Sequence, residues 1–432
     1  MNKLWQKEQT SITEAVERFT IGRDTEFDLL LAAYDVQGSI AHVHMLGEVG
    51  LMSKEQAAAA VNGLQQIAAT IDAGAFVISP GVEDIHSQVE LMLTEMIGDT
   101  GKMIHSGRSR NDQVAVDLKL YLKDACLKIK DNVVDLFHTL QRQSDQHKDV
   151  LIPGYTHLQV AMPSSIGLWL GAYAESLCDD LALLATAYDL CNKNPLGSGA
   201  GYGSSFPLDR RRTTQLMGFE DLHWNSIYAQ MSRGKTEKTL GFALSGIAAT
   251  VGRLAMDCCL YMGQNFGFIS FPDQLTTGSS IMPHKKNPDV LELIRGKCNR
   301  LQAIPNELSL LLANLPSGYH RELQLTKEII FPAIQELNSC LDMMRFMLEA
   351  ITVRQDILDA DMYTYVFSVE EVNKLVGQGI PFRDAYRQVG HDIASGTFEP
   401  SRTVRHSHEG SIGNLCNDQI KNIMEQSCKR FV

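Results

Sequence analysis

Apolar residues recur along this chain in steps of three and four. One run goes from Leu118 through Leu122, Cys126, Ile129, Val133, Leu136 and Leu140. Another goes from Ile330 through Ile334, Leu337, Leu341, Met344, Leu348 and Ile351. That period is one face of an α-helix. The second run is a heptad seam over residues 330–351, roughly 33 Å of helix at 1.5 Å per residue, with Pro332 expected in its tolerant first turn. Similar patterns cover 27–46, 54–73, 164–192 and 234–264, and strand-like alternation is scarce. The pattern predicts an all-α protein whose long helices form a bundle, with seams suited to completion by other subunits.

Gly, Pro and Ser gather at 100–109, 152–165, 194–207 and 272–288, which read as loops between helices. Histidines and basic pairs collect in or beside them, as expected where a rigid helical scaffold carries polar loops. Beyond about residue 352 the patterns shorten and become more polar, which predicts a small C-terminal domain.

Composition narrows the class. The 432 residues are 44% apolar and 21% charged, ordinary for a globular protein. The net charge of −12 favours solubility and argues against general nucleic-acid binding. Nine cysteines show no CxxC pair, and the adjacent Cys258 and Cys259 suit a disulfide poorly. They are expected to be reduced and to pack as small apolar residues. The opening MNKLWQKEQTSITEAVERF has no apolar core of a secretory signal, so a cytoplasmic location is expected. Arg253 and Asp257 interrupt the apolar stretch at 240–263, which fits a buried helix and no membrane span.

Four segments carry candidate chemistry. In DQLTTGSSIMPHKKNPDVLE (273–292), Gly278, Ser279 and Ser280 permit an unusual backbone path and present hydroxyls, while Lys285 and Lys286 bring positive charge. Asn287 followed by Pro288 predicts an N-cap and first helical residue, aiming a helix N-terminus at the loop. Together these suit a carboxylate gaining charge in a transition state, and a solvated basic loop is the plainer alternative. In PGYTHLQ (153–159), Thr156 and His157 lie in a polar loop, where a histidine can move protons or be structural. Glu292, one turn into the helix after the lysines, is a carboxylate able to orient it. In IHSGRSRNDQ (104–113), Arg108, Ser109, Arg110 and Asn111 form a tight polar set suited to carboxylates or an amino-acid head group. Asn111 or Asp112 opening the next helix is the structural alternative. In LPSGYHRELQLTKE (315–328), Tyr319, Arg321, Gln324 and Lys327 fall at helical spacing and share a face, either for polar contact with a ligand or for solvent.

Other signals are weaker. The run GSGAGYG (197–203) is out of register with a dinucleotide fingerprint. His42 and His44 face apart on a helix, and His406 and His408 lack companions at metal spacing, so no metal is expected.

These motifs resemble the fumarase/aspartase superfamily, whose loop reads G-S-S-x-M-P-x-K-x-N-P, and within it the argininosuccinate lyase family. EDIHSQVE (83–90), HSGRSRNDQVAVDL (105–118), PGYTHLQ, NPLGSGAGYGSSFPLDR (194–210), ELIRGK (292–297), LPSGYHRELQLTKE and HEGSIGNL (408–415) extend the likeness over residues 35–415. The loop selects the superfamily; SGRSRNDQ and the Tyr/Gln/Lys segment select the family. The resemblance implies an all-α subunit of three domains, dividing as 1–104, 105–351 and 352–432. It implies a homotetramer with active sites shared between subunits, no cofactor, and elimination of argininosuccinate to arginine and fumarate. By motif, Ser279 and His157 are implied as the proton-transferring pair in either order, with Glu292 orienting His157. Lys285 and Asn287 are implied to hold the carboxylate, and Asn111, Thr156, Tyr319, Gln324, Lys327, Arg108 and Arg233 to bind substrate.

The chain departs from the family at His284, His320, Tyr228 and Gly234, and FTIGRDTEFD, with Asp24, stands where a substrate-binding serine is usual. His284 also points toward the adenylosuccinate lyases, and a crystallin-like structural protein is a further alternative.

Overall fold

A computed structural model describes residues 14–79 and 81–431. Its helices, in chain order, are α1 (Glu14–Ile21), α2 (Asp24–Asp28), α3 (Ala32–Glu48), α4 (Lys54–Asp72), α5 (Ile85–Ile97), α6 (Asp99–Lys102), α7 (Arg110–Gln146), α8 (Ile166–Cys191), α9 (Arg210–Leu216), α10 (Ser226–Met231), α11 (Lys235–Met262), α12 (Asp289–Leu301), α13 (Ile304–Leu311), α14 (Thr326–Glu349), α15 (Ser368–Gly377), α16 (Phe382–Ser395) and α17 (Asn417–Cys428). One longer hairpin, β1 (Leu151–Thr156) and β2 (Gln159–Ser165), joins α7 to α8; the remaining strands are two residues each.

The core is a bundle of α7, α8, α11 and α14, with α12 against α11 and α14. The 37 residues of α7 span about 55 Å at 1.5 Å per residue. Its stripe from Leu118 to Leu140 is buried throughout, as is the α14 stripe from Ile330 to Leu348. The fold class is thus the all-α one its periodicity predicts. Helix α11 is long and apolar enough to cross a membrane, yet 56% of its most apolar window is buried inside the fold. Asp257 on it accepts from Trp169 Nε1 (3.0 Å) and Tyr173 Oη (2.5 Å) on α8, so its polar interruption is an internal contact. A small separate core, Val372, Ala385 and Val389, lies between α15 and α16.

Two local expectations need correction. The segment 152–165 is an antiparallel hairpin. Pro153 faces Pro163 in its register, and each strand of a two-stranded ribbon has a free edge, so the prolines that suggest a loop are tolerated. Pro332 lies well inside α14. The helix starts earlier because its first turn carries Lys327, anchored by ion pairs that an apolar seam does not reveal.

Acid sensitivity is built into the core. His42 is fully buried; its Nε2 lies 2.9 Å from the Ser106 carbonyl and its Nδ1 has no partner. Burial, helped by the Arg108 charge, pushes its pKa down to about 3. The unfolded chain would bind this proton near pH 6.5 and the folded chain would not. The stability contributed is therefore full above pH 6.5 and lost as pH falls toward 3. Asp112 and Asp180, pushed up to about 6 chiefly by burial, act in the opposite sense. The expected result is a His42→Gln variant with a shallower loss of stability between pH 6.5 and 4 than the parent in denaturant titrations. Equal slopes would contradict this reading.

Candidate active site

The chain enters the bundle through a capping box at Ser109. Its Oγ accepts from the Asn111 N–H, and Asp112 Oδ1 accepts from the Ser109 N–H at 2.7 Å. Ser109, and neither Asn111 nor Asp112, is the N-cap. The cap turns Arg108 and Arg110 in opposite directions. Arg108 is buried and donates to Ser39 Oγ at 2.9 Å, so it sits behind the cleft wall. Arg110 faces the cleft, bonded to Asp84 and, at 3.1 Å, to Ser87 Oγ. Asp112 also accepts from the Gly197 and Gly199 N–H groups at 2.9 Å each. The glycine run at 197–203 therefore wraps a helix start. Gly197 and Gly199, with φ of +83° and +59°, make that close approach possible.

The cleft that follows has a volume of about 60 Å³ and brings together Asn111, Arg233, Tyr319, Gln324 and Lys327 from distant parts of the sequence. A 3₁₀ turn, Arg321–Leu325, leads into α14 and sets Gln324 and Lys327 on one wall. Lys327 is buried, with its ammonium 2.5 Å from both Asp24 Oδ1 and Asp28 Oδ1. Gln324 Nε2 donates to the Thr20 and Ile21 carbonyls at 3.2 and 3.1 Å. Arg233 donates to the Leu323 carbonyl at 3.1 Å and lies 5.8 Å from the Tyr319 ring centroid.

Sequence reasoning singled out none of Asp28, Asp84 or His86, which also line the cleft. The signal available for the last two was EDIHSQVE, where Asp84 caps α5 by accepting from the Ser87 N–H at 2.8 Å. Burial raises the Asp84 carboxyl, but His86, Arg110 and the Ser87 N–H together hold it below its usual range. His86 Nδ1 lies 2.8 Å from Asp35 Oδ1 and 3.5 Å from Asp117 Oδ2. These three are the group among the described residues whose donor atoms could surround a cation, all within 4.8 Å of one another. The buried Arg108 guanidinium already acts on both carboxylates, so the cluster reads as an internal ionic network.

His157 stands apart, exposed at the tip of the hairpin. His157 and Leu158 form a two-residue turn with φ of +55° and +59°, the left-handed region that usually takes Asn and Gly. Two L-residues there store roughly 1–3 kcal/mol each, strain of the kind that clusters at functional sites. The signature loop forms a third group. An antiparallel bridge joins Thr277 to Asn287, and the loop between them is mostly exposed. Ser279 Oγ accepts from the backbone N–H groups of Met282 (3.1 Å) and Ile281 (3.4 Å). Asn287 is held in the bridge, so Pro288 takes the N-cap place and α12 begins one residue later than expected, at Asp289. Lys285 is exposed, and Glu292 lies on the exposed face of α12, 3.8 Å from Arg295. Among the described residues no hydrogen bond or ion pair within the chain joins His157 to Glu292 or Ser279.

The departures have local places. His284 is exposed on the signature loop, and His320 Nε2 lies 3.1 Å from the Pro316 carbonyl. Tyr228 packs edge-on to His223 at 5.2 Å. Gly234 caps α11 with φ +74°, and a Cβ there would overlap Leu312 Cδ2. A Gly234→Ala variant is expected to lose about 2–3 kcal/mol, from the left-handed backbone and the overlap. An unchanged denaturation midpoint would exclude that strain.

Comparisons with known proteins place the whole chain in one family. The lyase family profile matches residues 13–303. The chain is 58% identical to the argininosuccinate lyase of Parabacteroides distasonis and 56% identical to that of Bacteroides fragilis. Each match spans 429 residues, 99% of this chain and 96% of the relative. Among solved structures, EDDS lyase in complex with formate superposes with a TM-score of 0.74 at 22% identity, covering 98% of this chain and 91% of that one.

Proposed function

The chain belongs to the argininosuccinate lyase family, and from that membership we propose how its residues divide the work of cleaving argininosuccinate to arginine and fumarate. The observation that carries the division is the cleft: Asn111, Arg233, Tyr319, Gln324 and Lys327, up to 216 positions apart (327 − 111), line one polar pocket. It takes the amino-acid end of the substrate, with Arg110 on the wall where Arg108 was expected. Arg108 acts from behind, through Ser39 and the buried carboxylates.

Ser279 removes the Cβ proton of the succinyl group. The freed electron pair is held on the neighbouring carboxylate, which then carries a second negative charge, and Lys285, Asn287 and the N-terminus of α12 stabilise it. The pair then closes the C=C bond of fumarate as the C–N bond breaks, and His157 gives a proton to the leaving guanidine nitrogen. The support for Ser279 as base is its pair of backbone donors, which favour an alkoxide. No organic cofactor or metal enters this chemistry.

The three groups of residues complete a site in a homotetramer, where the hairpin, the signature loop and the cleft come from different subunits. Supporting this, the bundle exposes large apolar side chains: Phe242 and Met256 on α11, Leu183 on α8 and Leu293 on α12. The nine thiols are free, in keeping with a reducing cytoplasm.

Incubating the protein with argininosuccinate is expected to release fumarate and arginine, with adenylosuccinate left intact; the reverse preference would overturn the reading. Mixing inactive Ser279→Ala and His157→Gln subunits, then dissociating and reassembling them, should recover part of the activity. No recovery after confirmed subunit exchange would place Ser279 and His157 in one subunit's contribution.

A further inference from the structure

The charges of the cleft balance in number, but at one end they are not paired one to one. Asp84 has Arg110, and Glu83 has Arg321 at 3.8 Å. At Lys327, two carboxylates, Asp24 and Asp28, face a single ammonium. Burial lifts the Asp24 carboxyl above its usual range, Lys327 opposes this, and Asp28 adds to the rise. A second cation at this place would relieve the excess. Arg233 presents the converse. It is a buried cation whose bond goes to a carbonyl and whose Nε is buried without a partner. It is close enough to Asp24 to stabilise its charge. A surplus anion beside a surplus cation is the complement of a zwitterion.

We propose that Asp24 is a specificity-determining residue, receiving the α-ammonium of the arginine half of the substrate while Arg233 receives its α-carboxylate. The inference rests on the cleft holding the amino-acid end, as read above. Between the two aspartates, Asp24 is the one a ligand reaches: its side chain is 22% exposed against 4% for Asp28. Its place at the start of α2 is fixed from across the cleft. Gln324 and Arg321 bind the Thr20 and Ile21 carbonyls just ahead of it. A serine at this place would accept a hydrogen bond from many groups. An aspartate beside a second carboxylate demands a cation, so the enzyme would reject substrates whose α-nitrogen is missing or acylated.

The test compares L-arginine with 5-guanidinopentanoate, which keeps the carboxylate and guanidinium and lacks the ammonium. Calorimetric titration of the full chain should show arginine bound about tenfold or more tightly, the scale of one charge-assisted hydrogen bond. Asp24→Asn should weaken arginine by a similar factor and leave the analogue within about twofold, and Asp24→Glu should restore part of the preference. Equal affinities in the parent, or equal weakening of both ligands by Asp24→Asn, would overturn the proposal. Should the variant unfold, the parent comparison alone decides. Fumarate release without arginine preference would discard the ammonium site and keep the reaction; arginine preference without fumarate release would do the opposite.

Discussion

Replacing Ser279 by alanine is expected to lower kcat for argininosuccinate cleavage by about 10³-fold, within the range removed with a positioned acid or base. The KM should change far less, because Ser279 belongs to the signature loop and the cleft proposed to grip the amino-acid end is made elsewhere. Stability should hardly move. The Ser279 side chain sits in a mostly exposed loop, and its Oγ only accepts from two turn N–H groups that solvent can satisfy instead. The size of the kinetic loss follows from the chemistry. A proton beside a carboxylate is very weakly acidic, and its removal places a second negative charge on that carboxylate. A serine hydroxyl is a poor base until donors stabilise its alkoxide, and the Met282 and Ile281 N–H groups are aimed at that oxygen. Steady-state kinetics with a thermal melt on the same sample checks both halves. Unchanged turnover in the alanine variant would remove Ser279 from the mechanism.

Lys327→Met is expected to cost about 3–5 kcal/mol of folding stability, the scale of a buried pair broken on one side. Lys327 is fully enclosed and is the shared partner of Asp24 and Asp28. Methionine fills the volume but leaves two carboxylates with no ammonium between them. The structure can answer by protonating one aspartate or by releasing α2 from the cleft wall. Either response damages the subsite, so substrate affinity should fall with stability. Denaturant unfolding should show a lower midpoint, and Asp28→Asn added to Lys327→Met should recover part of the loss. A double variant no more stable than the single one would show that the aspartates are not what the lysine holds.

Much of this was legible in the sequence, for reasons specific to the residues. The stripes at 118–140 and 330–351 predict bundle helices because side chains on one helical face must be buried together, and those residues are buried. SGRSRNDQ carries a resemblance to the argininosuccinate lyases that agrees with the 56–58% identity to them, while His284, exposed on the signature loop, pointed toward a sister family. The hairpin at 151–165 was hidden, because prolines in a two-stranded ribbon look like loop residues. Arg108 and Arg110 were indistinguishable as types. The capping box at Ser109 sends one inward and one to the cleft.

The sequence by itself determined the all-α class and the family, and it supplied the candidates for the proposed elimination: a hydroxyl, a histidine, lysines and a helix start. Periodicity and motif spacing are local properties, and they survive in one dimension. Only the tertiary structure decided which charges meet. The pairing of Lys327 with Asp24 and Asp28 spans about three hundred positions and comes from the docking of α2 on α14. Electrostatic energy depends on separation in space and on burial, and neither can be read from order along the chain.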